Sequence, residues 1–430
     1  MTEQMKPSGI NWVGDIPQQW NLTKIQFLFE QVKERNVGVK EKNLLSLSYG
    51  RIVTRDIEGA FGLIPENYDT YNIIKKGDIV LRLTDMQNDQ VSLRTGIVKE
   101  NRGIITSAYV TLRTRKANSA YYHWYLYAFD ITKEIYAFGQ GVRQNLTYEE
   151  LKKMLIPVPD YTEQQAIADF LDEQCAKIDD IAADIEKQIG LLQKYKKSLI
   201  SETVTKGLDK SAPMKDSGIE WIGKIPVHWN IIRITKYLES LVDYRGKTPE
   251  KVDDGIFLVT AKNIKNGLVD YSLSQEHVSA DNYEEIMHRG KPAIGDVLFT
   301  TEAPLGEVAN VDKVNIALAQ RVIKFRGKKE CVDNFYLKYW LMSLGFQSFL
   351  WSLATGSTAL GIAASKLGQL KMPLPRIEEQ CNIANFLDSQ CSLIEEIVGT
   401  KQSQLDIIHQ YKKSLIYEYV TGKKRVKETQ

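Results

Sequence analysis

The sequence predicts an α/β protein built as a pseudo-twofold tandem repeat, with two mixed α/β domains joined by two long antiparallel coiled-coil helices. Three observations predict it. A short segment bounded by tryptophans occurs twice, a block of 51 positions near the end of each half occurs twice, and the stretches held between these copies are unlike. Self-similarity at a fixed offset is the mark of a duplicated architecture.

The first repeated segment is Ser8-Gly9-Ile10-Asn11-Trp12-Val13-Gly14-Asp15-Ile16-Pro17, ending in Gln18-Gln19-Trp20-Asn21. It returns 209 residues later as Ser217-Gly218-Ile219-Glu220-Trp221-Ile222-Gly223-Lys224-Ile225-Pro226, ending in Val227-His228-Trp229-Asn230. The second block returns at an offset of 216, and aligning 155–205 with 371–421 gives 23 identities in 51 positions. These include Glu163/Glu379, Gln164/Gln380, Phe-Leu-Asp at 170–172 and 386–388, and Tyr-Lys-Lys-Ser-Leu-Ile at 195–200 and 411–416. The chain therefore divides into an N-terminal shared segment (1–21), a first insert (22–154), a first helix block (155–207) and a linker with the repeated segment (208–230). A second insert (231–370), a second helix block (371–422) and a basic tail (423–430) follow. Neutral drift would not spare the frame and erase the inserts, so the inserts read as specialised for different ligands.

The shared blocks read as helices. Pro157 and Pro159 bar helix before about residue 160, and Thr162 is the expected N-cap. Leu171, Ile178, Ile185, Leu192 and Leu199 recur every seven residues, and Gln174, Ile181, Gln188 and Tyr195 follow the first four by three. That is an a/d heptad pattern. The second copy gives Leu387, Ile394, Lys401, Ile408 and Leu415, with Gln390, Ile397, Gln404 and Tyr411. Helices of 40–44 residues extend roughly 60–66 Å at ~1.5 Å per residue, the length of a spacer rod.

Each insert carries strand-like runs at matching places: Ile79–Leu83 after the turn Lys76-Gly77-Asp78 and Ala108–Arg113 in the first, Gly295–Thr300 and Gln320–Arg326 in the second. An aromatic helix-like run follows, Tyr121–Leu126 or Phe335–Trp340, which reads as core rather than as a stacking platform.

Composition narrows the function classes. The chain has 430 residues, 43% hydrophobic and 26% charged, which points to two to four globular domains rather than disorder. The formal net charge of +2 averages a basic stretch at 21–154, with 20 Lys/Arg against 15 Asp/Glu, and an acidic one at 155–216, with 8 against 12. A polyanion partner is permitted. No apolar run is long enough to span a membrane, and the first residues lack a signal-peptide pattern. Cys175, Cys331, Cys381 and Cys391 form no C-x-x-C pair and read as reduced thiols of a cytoplasmic protein. The five histidines fall in no metal-ligating spacing, so no metal site is expected. P-loop and amino-methyltransferase motifs are missing, and Glu150-Leu151-Lys152 makes a poor nuclease triple. No catalytic residue is assigned.

The basic and amide residues are more suggestive. Arg113, Arg115 and Lys116 close the second strand of insert one, and Arg321, Lys324 and Arg326 lie on the matching strand of insert two. Arg143, Gln144 and Asn145 have side chains suited to base edges, and Arg82, Arg94, Lys262 and Asn263 join them on residue type. On this reading, Arg113→Ala or Arg326→Ala weakens one half of a DNA site by ~1–3 kcal/mol.

With these features assembled, the chain resembles the specificity (S) subunit of Type I restriction-modification systems. The resemblance rests on Ser-Gly-Ile-x-Trp-Ile/Val-Gly-x-Ile-Pro-x-x-Trp before each insert and Pro-x-Pro-x-x-x-Glu-Gln-x-x-Ile-Ala-x-Phe-Leu-Asp after it, and it covers essentially the whole chain. It implies that each insert is a target recognition domain reading one half of a split, asymmetric double-stranded DNA site and that the helices are spacers. It also implies a subunit without catalytic residues or cofactor of its own. Two methyltransferase (M) subunits would bring S-adenosylmethionine for adenine methylation, and restriction (R) subunits would bring ATP and Mg. M-subunit helices would lie against the spacer helices. The competing readings are a protein-only coiled-coil scaffold and a self-sufficient methyltransferase or nuclease.

Overall fold

The computed structural model describes residues 4–56, 68–84, 86, 93–138, 145–244, 246, 249–356 and 360–426. The chain forms two compact units, the first from 1–186 with 403–430 and the second from 187–402. Two helices far longer than the rest, Tyr161–Lys206 and Ile377–Val420, each contribute one part to each unit.

In the first unit a four-stranded antiparallel sheet runs in the order Phe29–Gln31, Val110–Thr114, Ile79–Leu81, Thr95–Ile97. The helix Ser119–Ile131 covers it, with Tyr121, Tyr122, Trp124 and Tyr125 buried. The aromatic run is thus core, as its composition predicted. Asn118 caps this helix by accepting from the Ala120 and Tyr121 amides. The second unit repeats the plan: Leu238–Asp243, Val322–Gly327, Val297–Thr301, Leu305–Asn310, covered by Asn334–Met342 capped by Asp333. Tyr121 and Tyr336 are equivalent, and their hydroxyls donate to the backbone at the ends of the long helices: Tyr121 to Val420 at 2.9 Å, Tyr336 to Val204 at 3.2 Å.

The first long helix begins at Tyr161, not after Thr162. Asp160 is the capping side chain, its carboxylate accepting from the Glu163 amide at 2.9 Å. Glycine ends both helices, since Gly207 and Gly422 each take φ +74°, a left-handed conformation open to glycine at little cost. A Cβ on Gly422 would lie 2.9 Å from the Trp20 ring and closer still to Pro17, and one on Gly207 would lie 3.2 Å from the Trp229 ring. The tryptophan of each repeated segment therefore packs on a helix end.

The helices pair antiparallel within each unit. In the first, Phe170 meets Tyr419 with ring centroids 4.5 Å apart, and Asp179 meets Lys412 at 2.6 Å. In the second, Gln188 meets Lys401 at 2.6 Å and Lys196 meets Glu395 at 2.6 Å. Lys196 and Lys412 stand 216 residues apart, as do Asp179 and Glu395, so the two ion pairs are repeats of one another.

The expected seam needs one correction. Leu171, Ile178, Leu387, Ile394 and Leu415 are buried, and Ile185, Leu192, Leu199 and Ile408 are half-buried. Ile181 and Ile397, however, are 52% and 37% exposed. The second row of the seam lies four residues on rather than three: Cys175, Ala182, Ile189, Lys196 and Thr203, matched by Cys391, Val398, Leu405, Lys412 and Tyr419. With this row facing the other helix, the +3 residues are turned outward.

Candidate nucleic-acid interface

The repeated motif residues build the frame that carries each insert. Trp20 donates its indole N–H to Glu163 at 2.9 Å, and Trp229 donates to Glu379 at 3.0 Å. Gln164 accepts from the Asn118 amide and donates to the Pro159 carbonyl, at 2.9 and 2.8 Å. Gln380 accepts from the Asp333 amide and donates to the Pro375 carbonyl, both at 2.9 Å. Asp172 accepts from the Trp124 indole at 2.8 Å, while Asp388 accepts from the Tyr339 hydroxyl at 2.6 Å and Lys338 at 3.1 Å. The Glu-Gln and Phe-Leu-Asp motifs thus bolt the capped helix of each insert to its spacer helix.

Several side chains chosen by residue type turn out to serve the protein interior. Arg94 is fully buried, donating to the carbonyls of Arg82 and Thr84 and to the Tyr136 hydroxyl. Asn263 is fully buried and accepts from Thr260 while donating to the carbonyls of Asp270 and Ser274. Lys324 is 1% exposed, 3.5 Å from Asp296 and bonded to the Lys291 carbonyl. Burial pushes its ammonium below the usual lysine range, with Asp296 opposing.

Arg113 and Arg326 are held as well. Arg113 grips Asp78 through Nε at 2.9 Å and Nη2 at 2.7 Å, and Arg326 grips Asp296 at 2.6 and 2.7 Å. The hydrogen bond to each aspartate raises the pKa of its arginine. A fork closed on a buried carboxylate is not available to guanine. For these five residues, chosen as DNA contacts on residue type, the structure shows protein-internal bonds instead.

Arg115, Lys116, Asn145, Lys262 and Arg321 remain on the surface, and Arg82 is half-buried. Arg115 meets Glu30 at 3.4 Å and Arg321 meets Glu302 at 2.8 Å. Arg143 and Gln144 lie outside the described residues.

Residue-type reasoning missed a hairpin in the first unit. Leu45–Ser48 pairs with Arg51–Thr54, with Tyr49 and Gly50 at its tip. The alternation Leu45-Ser46-Leu47-Ser48 before a Gly-containing two-residue turn was a legible signal for it. Also missed was a repeated exposed apolar set on the long helices: Ile181, Ile407 and Tyr411 in the first unit, and their equivalents Ile397, Leu191 and Tyr195 in the second. No helix among the described residues is long and apolar enough to cross a membrane.

Comparison with known proteins agrees with this construction. A family model described as type I restriction modification DNA specificity domain matches residues 41–191 and 228–406. The chain is 25% identical over 427 residues to the type I restriction enzyme MjaVIII specificity subunit of Methanocaldococcus jannaschii, covering 96% of this chain and 94% of that protein. It is 24% identical over 290 residues to the type I restriction enzyme EcoBI specificity subunit of Escherichia coli, covering 65% and 60%. Among solved structures, the fold is shared with a chain from work on complex assembly and conformational transition of the type I R-M system, at a TM-score of 0.70, 14% identity and coverage of 94% and 98%. The HsdS subunit from Thermoanaerobacter tengcongensis gives 0.50, 14%, 95% and 98%. With one model match on each half and most of the sequence inside the two, the chain belongs to the type I restriction modification DNA specificity domain family.

Proposed function

We propose that this chain is the non-catalytic specificity subunit of a type I restriction-modification enzyme. It reads a bipartite, asymmetric duplex DNA target, one recognition domain per half-site. The observation that carries this is a frame built twice with the same bonds, Trp20–Glu163 and Trp229–Glu379, around two dissimilar inserts. Equal mounts with unequal readers suit a target whose halves differ.

The exposed set Ile181, Ile407, Tyr411 and its equivalent Ile397, Leu191, Tyr195 are the docking faces for two methyltransferase (M) subunits. Two copies of one apolar patch fit two copies of one partner. S-adenosylmethionine is supplied on those subunits, and ATP and Mg on restriction (R) subunits. The assembly works in the cytoplasm.

The test is to map methylated adenines in a host with and without this chain, its M subunit present in both. A new motif of two short specified halves around an unspecified spacer is expected. Its absence, together with no salt-sensitive duplex binding by the purified assembly, leaves a protein-only scaffold. Methyl transfer or cleavage by the isolated chain makes it a self-sufficient enzyme.

A further inference from the structure

A cleft of about 1390 Å³ opens in the first unit between the hairpin tip at Tyr49, the helix Ser119–Ile131 and the parts of the long helices that belong to that unit. Six cationic side chains line it against three carboxylates. Of the carboxylates, Asp179 is already paired with Lys412, and Asp172 keeps its charge while accepting from the Trp124 indole, so the cations still outnumber them. Lys76, Lys99, Lys133 and Lys413 are exposed and make no ion pair among the described residues. The wall therefore carries uncompensated positive charge, which attracts a polyanion. His123 adds none at neutral pH, because burial, helped by Lys99, pulls it down to about 4.

The hairpin tip supplies the second observation. Ser48 pairs with Arg51, and the two residues between them, Tyr49 and Gly50, sit at φ +48° and +75°. This is a two-residue turn with both centres left-handed, where Asn-Gly is favoured and a bulky residue is strained. Tyr49 is nevertheless 84% exposed, so packing within the chain does not offset that strain. Arg51, 76% exposed, touches Asp179 at 3.6 Å, a solvent-screened contact that another anion or a base can displace. A two-stranded ribbon is also narrow enough to enter a DNA major groove.

We propose that this cleft seats one half-site of the duplex. Arg51 and Tyr49 contact base edges from the hairpin tip, and Lys76, Lys99, Lys133 and Lys413 hold phosphates. The assignment rests on the reading of the chain as a DNA specificity subunit.

The test uses cells carrying the M subunit with the wild-type chain, Arg51→Ala, Tyr49→Ala, or a fourfold Lys→Gln variant at 76, 99, 133 and 413. Methylated adenines are mapped by single-molecule sequencing, and the purified assemblies are sized in parallel. Arg51→Ala and Tyr49→Ala are expected to lose discrimination about tenfold at one or two positions of one half-motif, with the other half unchanged. The fourfold variant is expected to lower methylation at every site, leave the motif intact, and flatten the salt dependence of binding. An unchanged motif in both hairpin variants overturns the proposal. So does loss of the M subunit from the assembly, which would make the cleft a protein-docking site. Should Arg51→Ala abolish both halves, Arg51→Lys decides: relaxation of one half supports base contact by the guanidinium, and any other result overturns it. A wild-type chain that directs no bipartite motif sinks the underlying DNA reading instead.

Discussion

The guanidinium of Arg113 closes on the carboxylate of Asp78 with two parallel hydrogen bonds, at 2.9 and 2.7 Å, and Asp78 itself is 1% exposed. Arg326 and Asp296 repeat the arrangement in the second unit, with Asp296 also 1% exposed. Each aspartate also accepts from a backbone amide three residues earlier, Lys75 at 2.9 Å and Ala293 at 2.8 Å. The pair therefore ties the turn entering one strand to its neighbour.

Removing Arg113 leaves Asp78 buried without its cation, whereas removing Arg326 leaves Asp296 with Lys324 alone, 3.5 Å away. Arg113→Ala is expected to destabilise its unit by about 3–5 kcal/mol, and Arg326→Ala to cost less because Lys324 stays beside Asp296, read as a lower melting temperature by calorimetry on the assembly. Retained stability with loss of one half-site alone would show that the guanidinium works outside the protein.

His123 gives the first unit an acid sensitivity. Burial, helped by Lys99, holds its folded pKa at about 4, below the ordinary histidine value of about 6.5, so protonation favours unfolding. The stabilisation from keeping the ring neutral is fully present above pH 6.5 and is lost as pH falls from there toward 4. It amounts to something on the order of 3 kcal/mol. In the second unit the equivalent residue is Lys338, which is paired with Asp388. His123→Leu is expected to remove most of the fall in melting temperature between pH 7 and 5, and an unchanged slope would place the titrating group elsewhere.

The seam specifies how the helices can be shortened. Deleting seven residues from both, 178–184 and 394–400, keeps the 3–4 spacing and the antiparallel register, and it brings Glu186 to the place of Asp179 opposite Lys412. Seven residues are ~10 Å of helix, or about three base pairs. If the helices set the gap between half-sites, the methylated motif keeps both halves and its spacer shortens by about that amount. A folded variant with the original spacer would refute the spacer role. Deleting 178–184 alone is expected to fail, because the matching segment of the other helix is left without its partner.

The heptad shows where sequence reasoning stopped. The recurrence at Leu171, Ile178, Ile185, Leu192 and Leu199 identified one row of the seam correctly. For the second row, Ile181, Tyr195, Ile397 and Tyr411 look more apolar than Cys175, Ala182, Lys196 and Lys412, and periodicity chose them. Hydrophobicity alone does not distinguish a residue buried in the seam from one on the outer face of the helix, and Ile181, Tyr195, Ile397 and Tyr411 are exposed.

By itself the sequence determined the duplication, the two long helices, the α/β character of the inserts and the family, because these depend on local pattern and on identity between two halves of one chain. The tertiary structure decided which polar groups are free to meet a ligand. Arg113 finds Asp78 across 35 residues, Arg326 finds Asp296 across 30, and Arg94 and Asn263 are enclosed by carbonyls. Such pairings follow from strand register and burial rather than residue type, so Arg51 and Tyr49, ordinary in composition, end at an exposed tip while stronger-looking candidates hold the core together.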